Sequence, residues 1–124
     1  DALPILKLTS IDTKIATVAV MPEVEVKRVL AGRLDELTEN TLSTATAVRA
    51  ELDAIRARGG VAIDREEQSE GVCAVGAVVG HLDHDLLAVS IPVPVQRFTG
   101  REDELVAAVA DFAARISDWI AAGQ

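Results

Sequence analysis

Apolar positions along this chain follow two different periods, and each period predicts its own set of elements. Val26, Val29 and Leu30 form a stripe at helical spacing over Pro22–Leu30. Pro22 suits a first helical turn, and Glu23 and Glu25 complement the positive end of the helix. Val48, Leu52 and Ile55 line one face of a second helix from Ser43 to Arg58. Arg56 and Arg58 fall at its negative end, and Gly59-Gly60 stop it. The third helix, Gly100–Ala122, carries Leu105, Val109, Phe112, Ile116 and Trp119 at alternating four- and three-residue steps. Thr99-Gly100-Arg101-Glu102 ahead of it reads as a capping box. Its apolar seam packs either across a sheet or against a second subunit.

Between the second and third helices the period shortens. Val61–Asp64 is predicted to be a strand, and Gly71–Val79 and Leu86–Val93 are apolar, β-branched runs joined by a polar loop, Gly80–Asp85. They predict an antiparallel hairpin, whose second strand ends at Pro92 and Pro94, since proline cannot donate to a ladder. These runs are apolar on both faces, so the sheet should be covered on both sides. Residues 3–20 are ambiguous. Their β-branched content favours a hairpin of Leu6–Ile11 and Ile15–Val20 about Asp12-Thr13, and a helix from Ser10 is the competing reading. The expected class is α+β: an antiparallel sheet flanked by helices, including a long amphipathic helix at the C-terminal end.

Composition narrows the function. A chain of 124 residues is about one domain, and 49% hydrophobic with 26% charged residues is a globular balance. Aromatic residues are only 2%, so Val, Ile, Leu and Ala must build the core. The net charge of −8 and scattered basic residues exclude direct nucleic-acid binding, which needs clustered Lys and Arg. The same argument excludes a membrane surface. No apolar run is long enough for a transmembrane helix, and a lone cysteine, Cys73, fits a reducing, cytoplasmic compartment.

Candidate chemistry is sparse. Cys73 lies in an apolar strand, which raises a thiol pKa and makes it an inert core residue. His81 and His84 with Asp83 and Asp85 could approach a metal, but a third protein ligand has no familiar zinc spacing. A polar hairpin tip is the simpler explanation. Asp64-Arg65-Glu66-Glu67 is an acidic cluster between strands, solvated except for Asp64, which ends a buried strand and points inward. Ser90 is the lone hydroxyl in its strand. Buried polar groups need partners, so for Asp64 and Ser90 an internal hydrogen bond and a ligand contact are both open. No phosphate-binding glycine loop, dinucleotide fingerprint or Ser/His/Asp signature is found, so neither catalysis nor a cofactor is expected.

The run Gly60-Val61-Ala62-Ile63-Asp64-Arg65-Glu66-Glu67, followed by Gly71-Val72-Cys73-Ala74-Val75, resembles the effector-binding domain of IclR-type transcription regulators. Ala88-Val89-Ser90 with Pro94 and Arg97-Phe98 resembles a later Ser-rich segment of that family. Met21-Pro22-Glu23 through Leu30, and Leu37-Thr38, Thr41-Leu42 and the Leu52–Arg56 helix, resemble earlier ones. The resemblance covers about residues 20–122, with a weaker extension back to Leu6. It implies a GAF-like fold enclosing a small-molecule pocket, with residues 1–124 forming one N-terminally trimmed effector domain. It also implies a winged helix-turn-helix DNA-binding domain outside this chain.

By the same resemblance, Asp64, Val72 and Ser90 match pocket positions. Ala74 stands where the family often has Cys or Ser, and Pro92 replaces the second Ser of a Ser-x-Ser pair. Thr13-Lys14 stands for the family's Gly-Lys, which brings Ile11, Asp12 and Thr13 to the pocket and implies a helix there, against the hairpin. The family's effectors are organic, keto and aromatic acids. Losing Cys and Ser from the wall predicts a larger or less polar effector than a two- or three-carbon acid. The expected function is metabolite sensing that modulates DNA binding by a separate domain, in a homodimer or homotetramer. The alternatives are an oligomerisation module with a vestigial pocket and, less favoured, an enzyme using the histidine loop.

Overall fold

The computed structural model describes residues 11–32, 44–82 and 85–123. Helices α1 (Ile11–Ala19), α2 (Glu23–Gly32) and α3 (Ala45–Ala57) precede strands β1 (Val61–Ser69), β2 (Val72–Leu82) and β3 (Asp85–Pro94). A single turn, α4 (Val95–Phe98), leads into the long helix α5 (Glu102–Ala122). The three strands form an antiparallel meander in the order β1-β2-β3.

Strand pleating gives the sheet two distinct faces. Val61, Ile63, Cys73, Val75, Ala77, Val79 and Val93 point one way and pack with Phe98, Val109 and Ala113 of the C-terminal helices. The opposite face receives α1, which lies against all three strands. Behind α1, α2 and α3 close a second core in which Ile15, Ala16 and Val18 meet Val26, Val29, Val48, Leu52 and Ile55. The sheet is thus covered on both sides, as its uniformly apolar strands predict.

The hairpin reading of residues 3–20 fails where it can be tested. Residues 11–19 form a helix, and Leu6–Ser10 lie outside the described residues. Helix α1 is the middle layer: Asp12, Thr13 and residues 15–19 are all buried, its polar residues with its apolar ones. A helix enclosed on every side carries no polar stripe, and its burial outweighs the strand preference of Ile, Val and Thr. Thr17 donates its hydroxyl to the Thr13 carbonyl at 2.8 Å, which satisfies it without leaving the helix.

Other boundaries shift for local reasons. Helix α3 begins after Thr44, whose side chain accepts from the Ala47 amide at 3.1 Å, and Ser43 lies outside the described residues. It stops at Gly59 and Gly60, both with positive φ. The capping box is not formed. Thr99 closes α4 instead, donating its hydroxyl to the Val95 carbonyl, and Arg101 caps α5 with no side-chain bond. Glu102 pairs with Arg65 of β1, whose guanidinium also lies over the Phe98 ring. The strands outrun their predicted ends. Asp64 sits inside β1, so the acidic run 64–67 belongs to a strand and not to a loop. Pro92 and Pro94 lie within β3, two residues apart at an edge of this sheet, where the donors they lack face away from β2.

Side chains tie the helical layer together. Arg49 of α3 makes a two-pronged contact with Glu23 of α2, at 3.3 and 2.8 Å. That hydrogen bond holds the Glu23 carboxyl below its usual range and raises Arg49 in turn. Arg56 donates to the Ala19 carbonyl at the end of α1, at 2.9 Å.

Along α5 the predicted seam divides. Val109 is buried and Leu105 and Ile116 half-buried against the sheet, together with Ala113 and Ile120. Phe112 and Trp119 flank that stripe and face outward, Trp119 with 76% of its surface exposed.

Candidate functional site

The face of the sheet that meets α1 carries almost every residue singled out from the sequence. Its cross-strand rows follow from the register. Ala62, Gly76 and Ser90 align across β1, β2 and β3, and Asp64, Ala74 and Pro92 align in the next row. Val72 follows two residues from Ala74, opposite Pro94, on the same pleat. The rows are built of small residues at their centre, Gly76 and Ala74, which leaves the floor low.

The N-terminal turn of α1 stands over this floor. Ile11 opens the helix, and Asp12 is wholly buried. Ser90 reaches across from β3 and donates its hydroxyl to Asp12 Oδ2 at 2.6 Å. The other carboxylate oxygen, Oδ1, has no partner among the described residues. A position in the first turn of α1 favours a negative charge, because the peptide dipoles place partial positive charge there. Asp64 is also buried, with 3% of its surface exposed, and does not turn into water. Thr13 is buried beside Asp12.

Exposure changes along the rows. Ala62 and Asp64 on β1 are buried and Ala74 on β2 is half-buried, whereas Ser90 and Pro92 on β3 are exposed. Among the described residues, the site is therefore closed at β1 and open at β3. An entering molecule would meet Ser90 first and find the Asp12 carboxylate behind it.

Sequence reasoning missed Gly76. A Cβ at this position would overlap Asp12 Oδ2 and lie 3.0 Å from Asp12 Cγ and 3.2 Å from its Cβ. The glycine is what lets α1 lower its carboxylate onto β2. Its signal was present: a glycine in the middle of an apolar strand marks a close approach by another group.

The remaining candidates lie elsewhere. Cys73 is buried on the α5 face. His81 is exposed near the β2–β3 turn, and His84 lies outside the described residues. No group of three or more His, Cys, Asp or Glu able to hold a metal occurs among the described residues. An open apolar cleft of about 590 Å³ runs beside the end of α5, lined by Val79, Leu87, Ile116, Trp119 and Ile120. A polar cleft of about 570 Å³ follows residues Gly100–Glu104. Neither is lined by Asp12, Asp64 or Ser90.

The sheet thus carries a buried carboxylate under α1 on one face and the long helix α5 on the other. Residues 10–118 match the profile described as bacterial transcriptional regulator IclR C-terminal, and the chain belongs to that family. It is 48% identical over 104 residues to the HTH-type transcriptional regulator Rv1719 of Mycobacterium tuberculosis, covering 84% of this chain and 40% of that protein. Among solved structures it resembles the IclR of Thermotoga maritima, with a TM-score of 0.70 and 30% identity over 88% of this chain and 45% of the other. It also resembles the C-terminal domain of the E. coli transcriptional regulator KdgR, with a TM-score of 0.66 and 30% identity over 86% and 66% of the two chains. The chain thus spans less than half the length of Rv1719 and of the Thermotoga protein. Its relatives are transcriptional regulators, and no described helix is long and apolar enough to cross a membrane.

Proposed function

We propose that residues 1–124 form the effector-binding domain of a transcription regulator, taking a small organic or aromatic acid on the sheet face beneath α1. Ile11, Asp12, Thr13, Asp64, Val72, Ala74, Ser90 and Pro92 form the site, and DNA is bound by a separate winged helix-turn-helix domain. The observation that carries this reading is the Ser90–Asp12 hydrogen bond: it joins α1 to β3 at the open end of the rows. A ligand bonded to Ser90 competes for that hydroxyl and so biases where α1 sits. Regulation requires such a difference, because an effector shifts an equilibrium only by its differential affinity for two states.

Outward-facing Phe112 and Trp119 favour an oligomer built on α5 in addition to the sensor. Exposed aromatic residues beside an apolar cleft suit self-association. A domain that only oligomerises would melt independently of metabolites.

A thermal-shift screen against organic and aromatic acids tests the reading. A true effector at about a hundred times its Kd adds about 2.7 kcal/mol, a rise of roughly 10 °C for a domain this size. Ser90→Ala should weaken that ligand severalfold in calorimetry, less than the roughly tenfold or more that a whole charge-assisted hydrogen bond of about 1.5–3 kcal/mol would give, because the bond to Asp12 is given up in exchange. Unchanged affinity would remove Ser90 from the site.

A further inference from the structure

The unpartnered oxygen of Asp12 says more about the ligand than the family does. Asp12 is wholly buried, yet its Oδ1 accepts nothing from the described residues. Buried acceptors are rarely left so, because losing water without a replacement donor costs about 1–3 kcal/mol, and more for a charged group. Among the described residues of the facing rows, Gly76 and Ala74 have no polar side chain, Ser90 donates to Oδ2, and Asp64 adds a second carboxyl group to the same face.

The position of Asp12 is also deliberate in the packing. Gly76 leaves no side chain between the carboxylate and β2, and any larger residue would expel it. A carboxylate held in this way, one hydrogen bond inside the exposed Ser90, is built to accept.

Resting on the sensor reading above, we propose that the effector presents a hydrogen-bond donor, a hydroxyl or an amino group, to Asp12 Oδ1. The ligand is then an acid that also carries a donor, and a plain carboxylic acid is rejected. On binding, its carboxylate takes the Ser90 hydroxyl in place of Asp12 Oδ2, and its donor enters beneath α1 to meet the Asp12 carboxylate so released. Discrimination follows from the buried acceptor: an analogue lacking the donor leaves Oδ1 unmet and gains nothing for the burial it causes.

Two matched sets test this on the intact chain by calorimetry and thermal shift. One is benzoate, 4-hydroxybenzoate and 4-aminobenzoate; the other is phenylacetate, mandelate and phenylglycine. In at least one set a donor-bearing member should bind tenfold or more tighter than its parent acid, and the hydroxyl and amino arms identify which donor is read. Asp12→Asn, which can turn an N–H toward the ligand, should reduce that preference to under threefold while retaining a cooperative melt. If Asp12→Asn does not fold, the carbon-13 shift of the Asp12 carboxyl in the unsubstituted chain should move with the donor-bearing acid and not with its parent, and equal shifts with both overturn the assignment. Equal binding of parent and donor-bearing acids, or a preference that survives Asp12→Asn, overturns the donor assignment and leaves the sensor reading intact. No binding by any member up to millimolar concentration counts against both.

Discussion

Gly76→Ala is expected to lower the unfolding free energy by about 1–3 kcal/mol, the usual cost of forcing atoms into a filled interior. Alanine in place of glycine ordinarily stabilises a strand, by reducing the freedom of the unfolded chain. Here the sign reverses because the new methyl group meets the Asp12 carboxylate on the α1 face. The damage is specific. Asp12 must rise off β2, which stretches its 2.6 Å contact with Ser90. Removing the obstacle should restore the ordinary sign: in an Asp12→Ala background, Gly76→Ala should cost nothing or stabilise slightly. Denaturant melts of the two single variants and the double variant close this cycle, which isolates the coupling between neighbouring groups. An additive result would mean that Asp12 does not sit where the structure places it.

Leu52→Ala should be among the most damaging single changes to stability, at about 2–5 kcal/mol. Leu52 is buried on the inner face of α3, in the same cluster as Val18 of α1 and Val29 of α2. Nothing larger is fully buried in the described core. Truncation leaves a void between helices already pinned by the Glu23–Arg49 pair and the Arg56–Ala19 hydrogen bond, so collapse into it is limited. Small domains hold only about 5–15 kcal/mol in total, so this one truncation removes a large part of it. Urea unfolding followed by circular dichroism checks the value. Because α1 rests on this layer, the same variant should also weaken effector binding, although Leu52 is remote from Ser90 in the layer order.

These two positions mark what the sequence could and could not convey. Leu52 was legible because α3 is amphipathic: Val48, Leu52 and Ile55 recur at helical spacing and all three are buried. The β2–β3 hairpin was legible for a comparable reason, a largely apolar run with several β-branched residues on each side of a polar turn. Helix α1 was not, because its polar residues Asp12, Thr13 and Thr17 are buried along with its apolar ones, and its β-branched content points to a strand. Thr99 was misread because two helices compete for it, and the turn α4 uses its hydroxyl before α5 can.

The site divides along the same line. Asp64 and Ser90 stood out as polar residues in apolar strands, and the family resemblance added Asp12, Thr13, Ala74 and Pro92. Their gathering on one face depends on register, which one-dimensional spacing does not fix. The pairing of Asp12 with Ser90 joins residues 78 positions apart. Only Gly76 carried a local signal of that meeting, and its meaning depends on knowing that a helix lies above.

The central claim is that effector binds on the α1 face and nowhere else on the sheet. An amide-resolved NMR titration of the chain with the strongest acid from the thermal screen tests it most directly. The account predicts saturable shifts concentrated at Asp12, Thr13, Asp64, Ala74, Gly76 and Ser90, with Trp119 and Ile120 unmoved. Shifts confined to Val79, Leu87 and the end of α5, with Ser90 silent, would place the ligand in the apolar cleft and contradict the account.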